Sequence, residues 1–348
     1  MSKESGARAR GDRQVGGLRR KRKAWSLWEE RRVPSDYEVV SHRFHYHFRR
    51  EPAPFDLDPN HPINRWYLKH REGSPFQVDD WEQFRDPARL TYKDYVTLQK
   101  DRELYVDQLI DDFERVDHYR RLPKAWVDLL EVLYIPSRFS GHVLQMSAMY
   151  WAQMAPSAYI TNAGYFQGAD ELRRLQRSAY IAKALSLDHG EHLADSERTR
   201  AIWEDDPHWQ PMREVLEKLL IAYDWGESFV ATNLVVKPVY DALMNVAFSG
   251  LAEQNGDDLL HLMHRDFQLD SERAANFTVA LVRYATERVS DHRRLLGEWI
   301  EKWREPAYRA AEGLAALFEK APNGMAKEAV MDLVRASHRT FLERAGLA

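Results

Sequence analysis

From Leu90 onward the apolar residues of this chain recur at helical spacing, and that rhythm excludes most other architectures. Val106, Leu109, Ile110 and Phe113 fall at i, i+3, i+4 and i+7, and Leu216, Leu219, Leu220 and Tyr223 repeat the same offsets. Residues so spaced share one face of a 3.6-residue helix, and that face must be buried against neighbours. Pro123, Pro136, Pro156, Pro207, Pro238, Pro306 and Pro322 are expected to divide the region into helix-length pieces, with further breaks at 188–190 and 255–256. The expectation is an all-α helical domain over residues 90–348, with no internal repeat.

The front of the chain has a different character. Residues 1–35 read as a basic arm, disordered or docking: Arg8, Arg10 and Arg13 precede the run Arg19, Arg20, Lys21, Arg22, Lys23, and Trp25 and Trp28 follow. Large aromatics beside a basic tail fit docking on a partner protein, with the rings buried and the charges at the rim. Residues 36–89 carry Pro52, Pro54, Pro59, Pro62 and Pro75, which oppose long helices. Phe44, Tyr46, Phe48, Phe55, Trp66, Tyr67 and Phe76 in the same stretch are too apolar to leave in water. An extended wrap lying on a surface is expected, either the chain's own or a partner's.

Composition removes several function classes. A net charge of −4 gives no overall attraction to nucleic acid or an anionic membrane. The absence of cysteine excludes disulfides, thiolate metal sites and cysteine nucleophiles. No apolar run is long enough to span a bilayer and residues 1–23 hold no signal-peptide core, so a cytoplasmic location is expected. There is no Gly-rich phosphate loop and no dinucleotide fingerprint, so nucleotide cofactors are expected to bind elsewhere.

Helical bundles that hold two irons use carboxylates and histidines on facing helices, above all Glu-x-x-His, because i and i+3 converge on one metal. This chain has no Glu-x-x-His; of its Asp-x-x-His sequences, only Asp258 to His261 lacks an internal proline. The stretch Asp170-Glu171-Leu172-Arg173-Arg174 resembles the Asp-Glu-x-Arg-His element of ferritin-like di-iron oxygenases, with Arg174 where the histidine would stand. A guanidinium has no lone pair to give to iron. Asp270-Ser271-Glu272-Arg273-Ala274 looks degraded in a similar way, with Ser271 for the carboxylate and Ala274 for the imidazole. Residues 132–169 contain no Asp or Glu at all. Glu171, Arg174, Ser271 and Ala274 are therefore the candidate remnant of a metal site, with Arg174 supplying inside the bundle the charge that iron would have supplied. The competing reading makes the first motif an ordinary charged helix surface.

Further stretches carry a family resemblance: residues 144–147, 153–156, Asp224-Trp225-Gly226-Glu227, Asn233-Leu234-Val235-Val236-Lys237-Pro238, and 298–303, with Trp66-Tyr67 near the front. Together they are similar to the β subunit of the hydroxylase of bacterial toluene, aromatic and alkene di-iron monooxygenases, from about Tyr37 to Leu314. The resemblance implies a ferritin-like, ribonucleotide-reductase-like bundle without catalytic, cofactor-binding or metal-binding residues of its own. It further implies an (αβγ)2 hydroxylase whose α subunit carries the di-iron centre. A regulatory protein would dock on that assembly, and a flavin reductase with a Rieske ferredoxin would supply electrons from NADH. The hydrocarbon, aromatic or alkene, stays open. Two alternatives remain: an autonomous di-iron oxidase or desaturase-like enzyme with unusual ligands around Glu171, Glu227 and Glu272, and a helical adaptor.

Other residues invite functional readings. His42, His45 and His47 could hold zinc or copper, but interface hydrogen bonding is the expectation. Asp224 and Glu227 could form an acid/base pair, yet no nucleophile stands nearby, so a helix cap or surface pairing is expected. Trp225, Trp299 and Trp303 are read as structural.

Overall fold

The structure, a computed structural model, describes residue 28, residues 32–44 and residues 60–347. Among these, helices α1 (Asp36–Val39) and α2 (Pro62–Tyr67) precede the bundle, and α2 runs on into a π turn over Leu68–Glu72. The bundle comprises α3 (Tyr92–Glu114), α4 (His118–Arg121), α5 (Lys124–Leu133), α6 (Ser137–Met154), α7 (Ala158–His189), α8 (Ser196–Asp205) and α9 (Gln210–Leu219). Then come α10 (Trp225–Val230), α11 (Lys237–Asp241), α12 (Phe248–Gln254), α13 (Asp258–Arg288), α14 (His292–Phe318) and α15 (Lys327–Ala345). No strand occurs among the described residues.

The starts and stops follow local chemistry. Thr91 and Asp94 close a capping box at the head of α3. Asp257 caps α13 through Leu260 N–H at 3.1 Å and also accepts from Trp126 Nε1 at 2.9 Å, so one carboxylate fixes both a helix end and its neighbour. Gly190 and Gly256, at φ 122° and 75°, make the breaks expected at 188–190 and 255–256. Two of the expected proline breaks do not occur. Pro306 lies inside α14, and Pro238 stands in the first turn of α11 within a helical run that spans 225–254. π turns at Ala231–Val236 and Ala242–Ala247 flank Pro238; the wider turn before it accommodates a ring that offers no N–H.

The core is one cluster that α6, α7, the 225–254 run and α13 share, with α14 and α15 packed across it. Val106 and Ile110 are buried as their spacing implies; of the second set, Leu216 and Leu219 are buried while Leu220 and Tyr223 are exposed. The described part of the expected wrap lies on its own bundle: Trp66 Nε1 donates to the Tyr150 hydroxyl at 3.1 Å, and Phe76, fully buried, packs on Trp225 with ring centroids 5.3 Å apart. The basic run and Trp25 lie outside the described residues. α6 and α7 approach closely because Gly164 has no side chain; a Cβ there would lie 2.5 Å from the Ala152 Cβ. We expect Gly164→Ala to cost about 1–3 kcal/mol by overpacking. Gly250→Ala, where nothing lies within 4 Å, should gain up to about 1 kcal/mol. Urea unfolding midpoints of the two variants check the contrast.

Candidate functional site

Three helices bring charge into the apolar interior. α7 carries Asp170, Glu171, Arg173 and Arg174; α13 carries Asp270, Ser271, Arg273 and Ala274; the 225–254 run carries Lys237 and Asp241 between its π turns and Asn245 within the second.

The inner cluster holds two carboxylates and two cations. The Lys237 ammonium donates to Glu171 Oε1 and, at 2.8 Å, to Asp241 Oδ2. Arg174 Nη1 lies 3.3 Å from Glu171 Oε2 and 3.0 Å from Asp241 Oδ1, while its Nη2 donates to Ser271 Oγ at 3.3 Å. Asn245 Nδ2 bonds Ser271 Oγ at 3.1 Å. Glu171 is 1% exposed, Lys237 5% and Asp241 6%, so these charges have little water to fall back on and depend on one another. Burial works against the Lys237 ammonium, but the Asp241 and Glu171 charges outweigh it and its pKa is raised. Burial likewise works against ionised Asp241, and Lys237 and Arg174 nonetheless hold its carboxyl below the usual range. Beside the cluster, burial and then the Arg174 charge push His264 down to about 3, which keeps the imidazole neutral near pH 7.

The outer layer is reciprocal. Asp170 of α7 takes Arg273 of α13, while Asp270 of α13 takes Arg173 of α7 at 3.0 Å. The two motifs thus pair across the bundle, aspartate of one to arginine of the other. Tyr95 Oη and Gln99 Nε2 each donate to Asp170 at 2.8 Å, and Arg102 reaches Asp270 at 3.0 Å, which ties α3 to the same layer.

The residues do not fit a di-iron centre. Each oxygen of Glu171 and Asp241 already faces an ammonium or a guanidinium, and a dication added there would meet two resident cations. At the cluster α13 presents the Ser271 hydroxyl and the Ala274 methyl, with the His264 imidazole beside them turned to Asn245 Oδ1 at 3.3 Å. Among the described residues no three His, Cys, Asp or Glu side chains converge as a metal-binding group. Glu171, Arg174 and Ser271 meet as one cluster, and Ala274, one turn beyond Ser271, lines the adjoining cavity of about 210 Å³ with Lys237 and Asp241. The Arg174 side chain, 11% exposed, points into the cluster rather than into solvent, against the surface-helix reading. Glu272 is exposed at the mouth of that cavity, and Glu227 is engaged elsewhere by Lys302 at 2.6 Å and Trp303 Nε1 at 3.0 Å.

Lys237, Asp241, Asn245 and His264 were not picked out from the sequence as site residues. A signal did exist, since Lys237 and Asp241 are an i,i+4 pair set in a long apolar stretch, which is what a buried ion pair looks like in one dimension. Asp224 caps α10 through Gly226 N–H at 2.9 Å and Glu227 N–H at 3.0 Å and accepts from Ser74 Oγ at 2.8 Å, a structural role as expected. Trp225 and Trp303 are buried and Trp299 is packed on the core. His42 Nδ1 lies 3.4 Å from the Tyr159 hydroxyl and 3.7 Å from Glu82; His45 and His47 fall outside the described residues. No helix of the described residues is long and apolar enough to cross a membrane.

Residues 66–288 match the family described as methane/phenol/alkene hydroxylase, and the chain belongs to that family. It is 40% identical, over 85% of its own length and 90% of the relative's, to the hydroxylase component subunit beta of the toluene-4-monooxygenase system of Ectopseudomonas mendocina. A chain in the solved structure of toluene 4-monooxygenase with toluene bound in the resting active site superposes with a TM-score of 0.78 at 37% identity, covering 83% of this chain and 99% of that one. A chain of phenol hydroxylase from Pseudomonas sp. OX1 superposes with a TM-score of 0.77 at 21% identity, covering 90% and 91%, and shows the shared fold. The ferritin-like helical fold expected from the sequence is the fold of these hydroxylase chains.

Lys237→Met leaves Glu171 and Asp241 sharing one guanidinium, and we expect it to cost about 3–5 kcal/mol in an unfolding titration. His264, with a folded pKa of about 3 against an ordinary 6.5, takes up its proton only on unfolding between those values. Its contribution is therefore present above pH 6.5 and is lost as the pH falls toward 3. Stability should fall across that window, and His264→Gln should flatten the slope of a pH series of urea midpoints.

Proposed function

We propose that this chain is the non-catalytic β subunit of a di-iron monooxygenase hydroxylase. The observation that carries the reading is the central cluster: where a metal-bearing bundle would present carboxylate and imidazole ligands, Lys237 and Arg174 neutralise Glu171 and Asp241. Glu171, Arg174, Ser271 and Ala274 are then the remnant of a duplicated metal site whose two cations are now side chains. The reciprocal pairing of the two motifs supports a common origin for them. Similarity over 85% of this chain and 90% of the relative to a toluene-4-monooxygenase hydroxylase β subunit supports the subunit type.

On this reading the substrate pocket and the di-iron centre belong to an α subunit, and this chain scaffolds it within an (αβγ)2 hydroxylase in the cytoplasm. A regulatory protein, a Rieske ferredoxin and an NADH-dependent reductase complete the system. The substrates are aromatic or alkene hydrocarbons, which the assembly hydroxylates or epoxidises. Residues 1–35 serve as a docking arm for the α subunit and 36–89 as a wrap, with residues 90–348 as the ferritin-like domain.

Co-expression with the neighbouring oxygenase subunits tests this. Omitting this chain should abolish NADH- and O2-dependent hydroxylation of toluene, and deleting residues 1–23 should lower the yield of assembled hydroxylase. Full activity without the chain would refute the subunit reading, and full yield from the truncated chain would refute the docking arm.

A further inference from the structure

A groove of about 430 Å³ runs between α14 and α15, away from the central cluster. Arg304, Arg335 and Arg339 line it around the Tyr308 ring, and the buried side chains Ile300 and Leu342 form its floor. Glu301 is the one carboxylate in the lining, and Arg304 Nη2 already takes it at 2.6 Å. Arg335 and Arg339 make no ion pair among the described residues, although Arg335 lies 6.0 Å from the Tyr308 ring centroid. Three guanidiniums against one carboxylate leave the groove at +2 on a chain whose net charge is −4. The contrast with the start of α14 is sharp: there Arg294 is matched by both Asp291 at 2.9 Å and Glu298 at 2.5 Å.

The groove is rigidly founded. His338, fully buried, bonds the Tyr308 hydroxyl at 2.9 Å and the Leu234 carbonyl at 2.7 Å, so the arginine-bearing turn of α15 is pinned to α14 and to the 225–254 run. The guanidiniums therefore stand over a fixed apolar floor. Arg335 and Arg339 are one turn apart on a single helix, about 6 Å. Carboxylates at i and i+4 of a partner helix match that separation, and each arginine can take a carboxylate with paired N–H donors. An inorganic anion would use the guanidiniums and leave the partly exposed Tyr308 ring and Leu347 uncovered; a peptide with an aliphatic residue between its acids uses both.

We propose that this groove is a docking site for an acidic segment of a partner protein, a segment that presents two carboxylates about one helical turn apart beside an aliphatic side chain. The inference does not depend on the β-subunit reading, since it rests on the lining and charge of the groove alone.

Fluorescence anisotropy on the full-length chain tests it, with a fluorescein-labelled twelve-residue helical peptide carrying two glutamates four residues apart around a leucine. The companion peptide has glutamine at both positions. At low salt the acidic peptide should bind about tenfold more tightly than its glutamine twin, and Arg335→Glu with Arg339→Glu should weaken it at least about tenfold. Raising the salt to about 0.5 M should weaken binding as strongly. Both arginines are exposed, so an unchanged urea midpoint will separate lost docking from lost folding. Arg115→Glu, at the end of α3 and away from both groove helices, should leave the affinity within about twofold. Equal binding of the two peptides, or no effect of the charge reversal, would overturn the proposal. So would inorganic pyrophosphate binding more tightly than the acidic peptide, which would make the groove a small-anion site.

Discussion

The fold is organised around a neutral knot of four buried charges. Glu171 on α7 and Asp241 on α11 are held by Lys237 and Arg174, and no member can be removed without leaving another uncompensated in an apolar interior. Such a knot contributes little net stability over a well-packed apolar core, because desolvation offsets most of the Coulomb attraction. Its effect is on register. Lys237 can reach both carboxylates only if the 225–254 run presents positions 237 and 241 inward, and the π turns on either side of α11 set that presentation.

The same knot decides the chemistry. Carboxylates in a helical bundle are useful to iron when their oxygens are free; here Glu171 Oε1 and both Asp241 oxygens accept from N–H donors, and Glu171 Oε2 faces the Arg174 guanidinium at 3.3 Å. The neighbouring imidazole of His264 is kept neutral, with its Nδ1 3.3 Å from Asn245 Oδ1, and takes no part in the ion pairing. Around this centre the reciprocal pairs Asp170 with Arg273 and Asp270 with Arg173 hold α7 and α13 together. A bundle that keeps the fold of a hydroxylase chain while filling its centre with paired side chains is suited to scaffolding.

Much of this was legible in one dimension. Apolar spacing gave the helical class, and the turns at Gly190 and Gly256 were marked by residues that tolerate a positive φ. The two degraded motifs pointed to Glu171, Arg174 and Ser271: i,i+3 spacing puts Glu171 and Arg174 on one face of α7, and the packing of α7 against α13 brings Ser271 to them. The hidden part was hidden for physical reasons. Pro238 reads as a helix start, and nothing local announces the π turns that carry the helix through it; with the helix broken there, Lys237 and Asp241 look like surface charges. Pro306 misled in the same direction, because tertiary packing of α14 outweighs the local cost of an interior proline. The cross-pairing of the two motifs depends on how α7 and α13 lie against each other, which sequence spacing alone does not encode.

Iron analysis of this chain tests the central claim most directly. The chain is purified without exposure to a metal-affinity column, both alone and after separation from co-expressed partner subunits, and the iron of the intact complex is measured beside it. The account predicts no stoichiometric iron on this chain in either preparation, with the iron of the complex remaining on the partner. Two irons per copy of the isolated chain, bound despite Lys237 and Arg174, would contradict it.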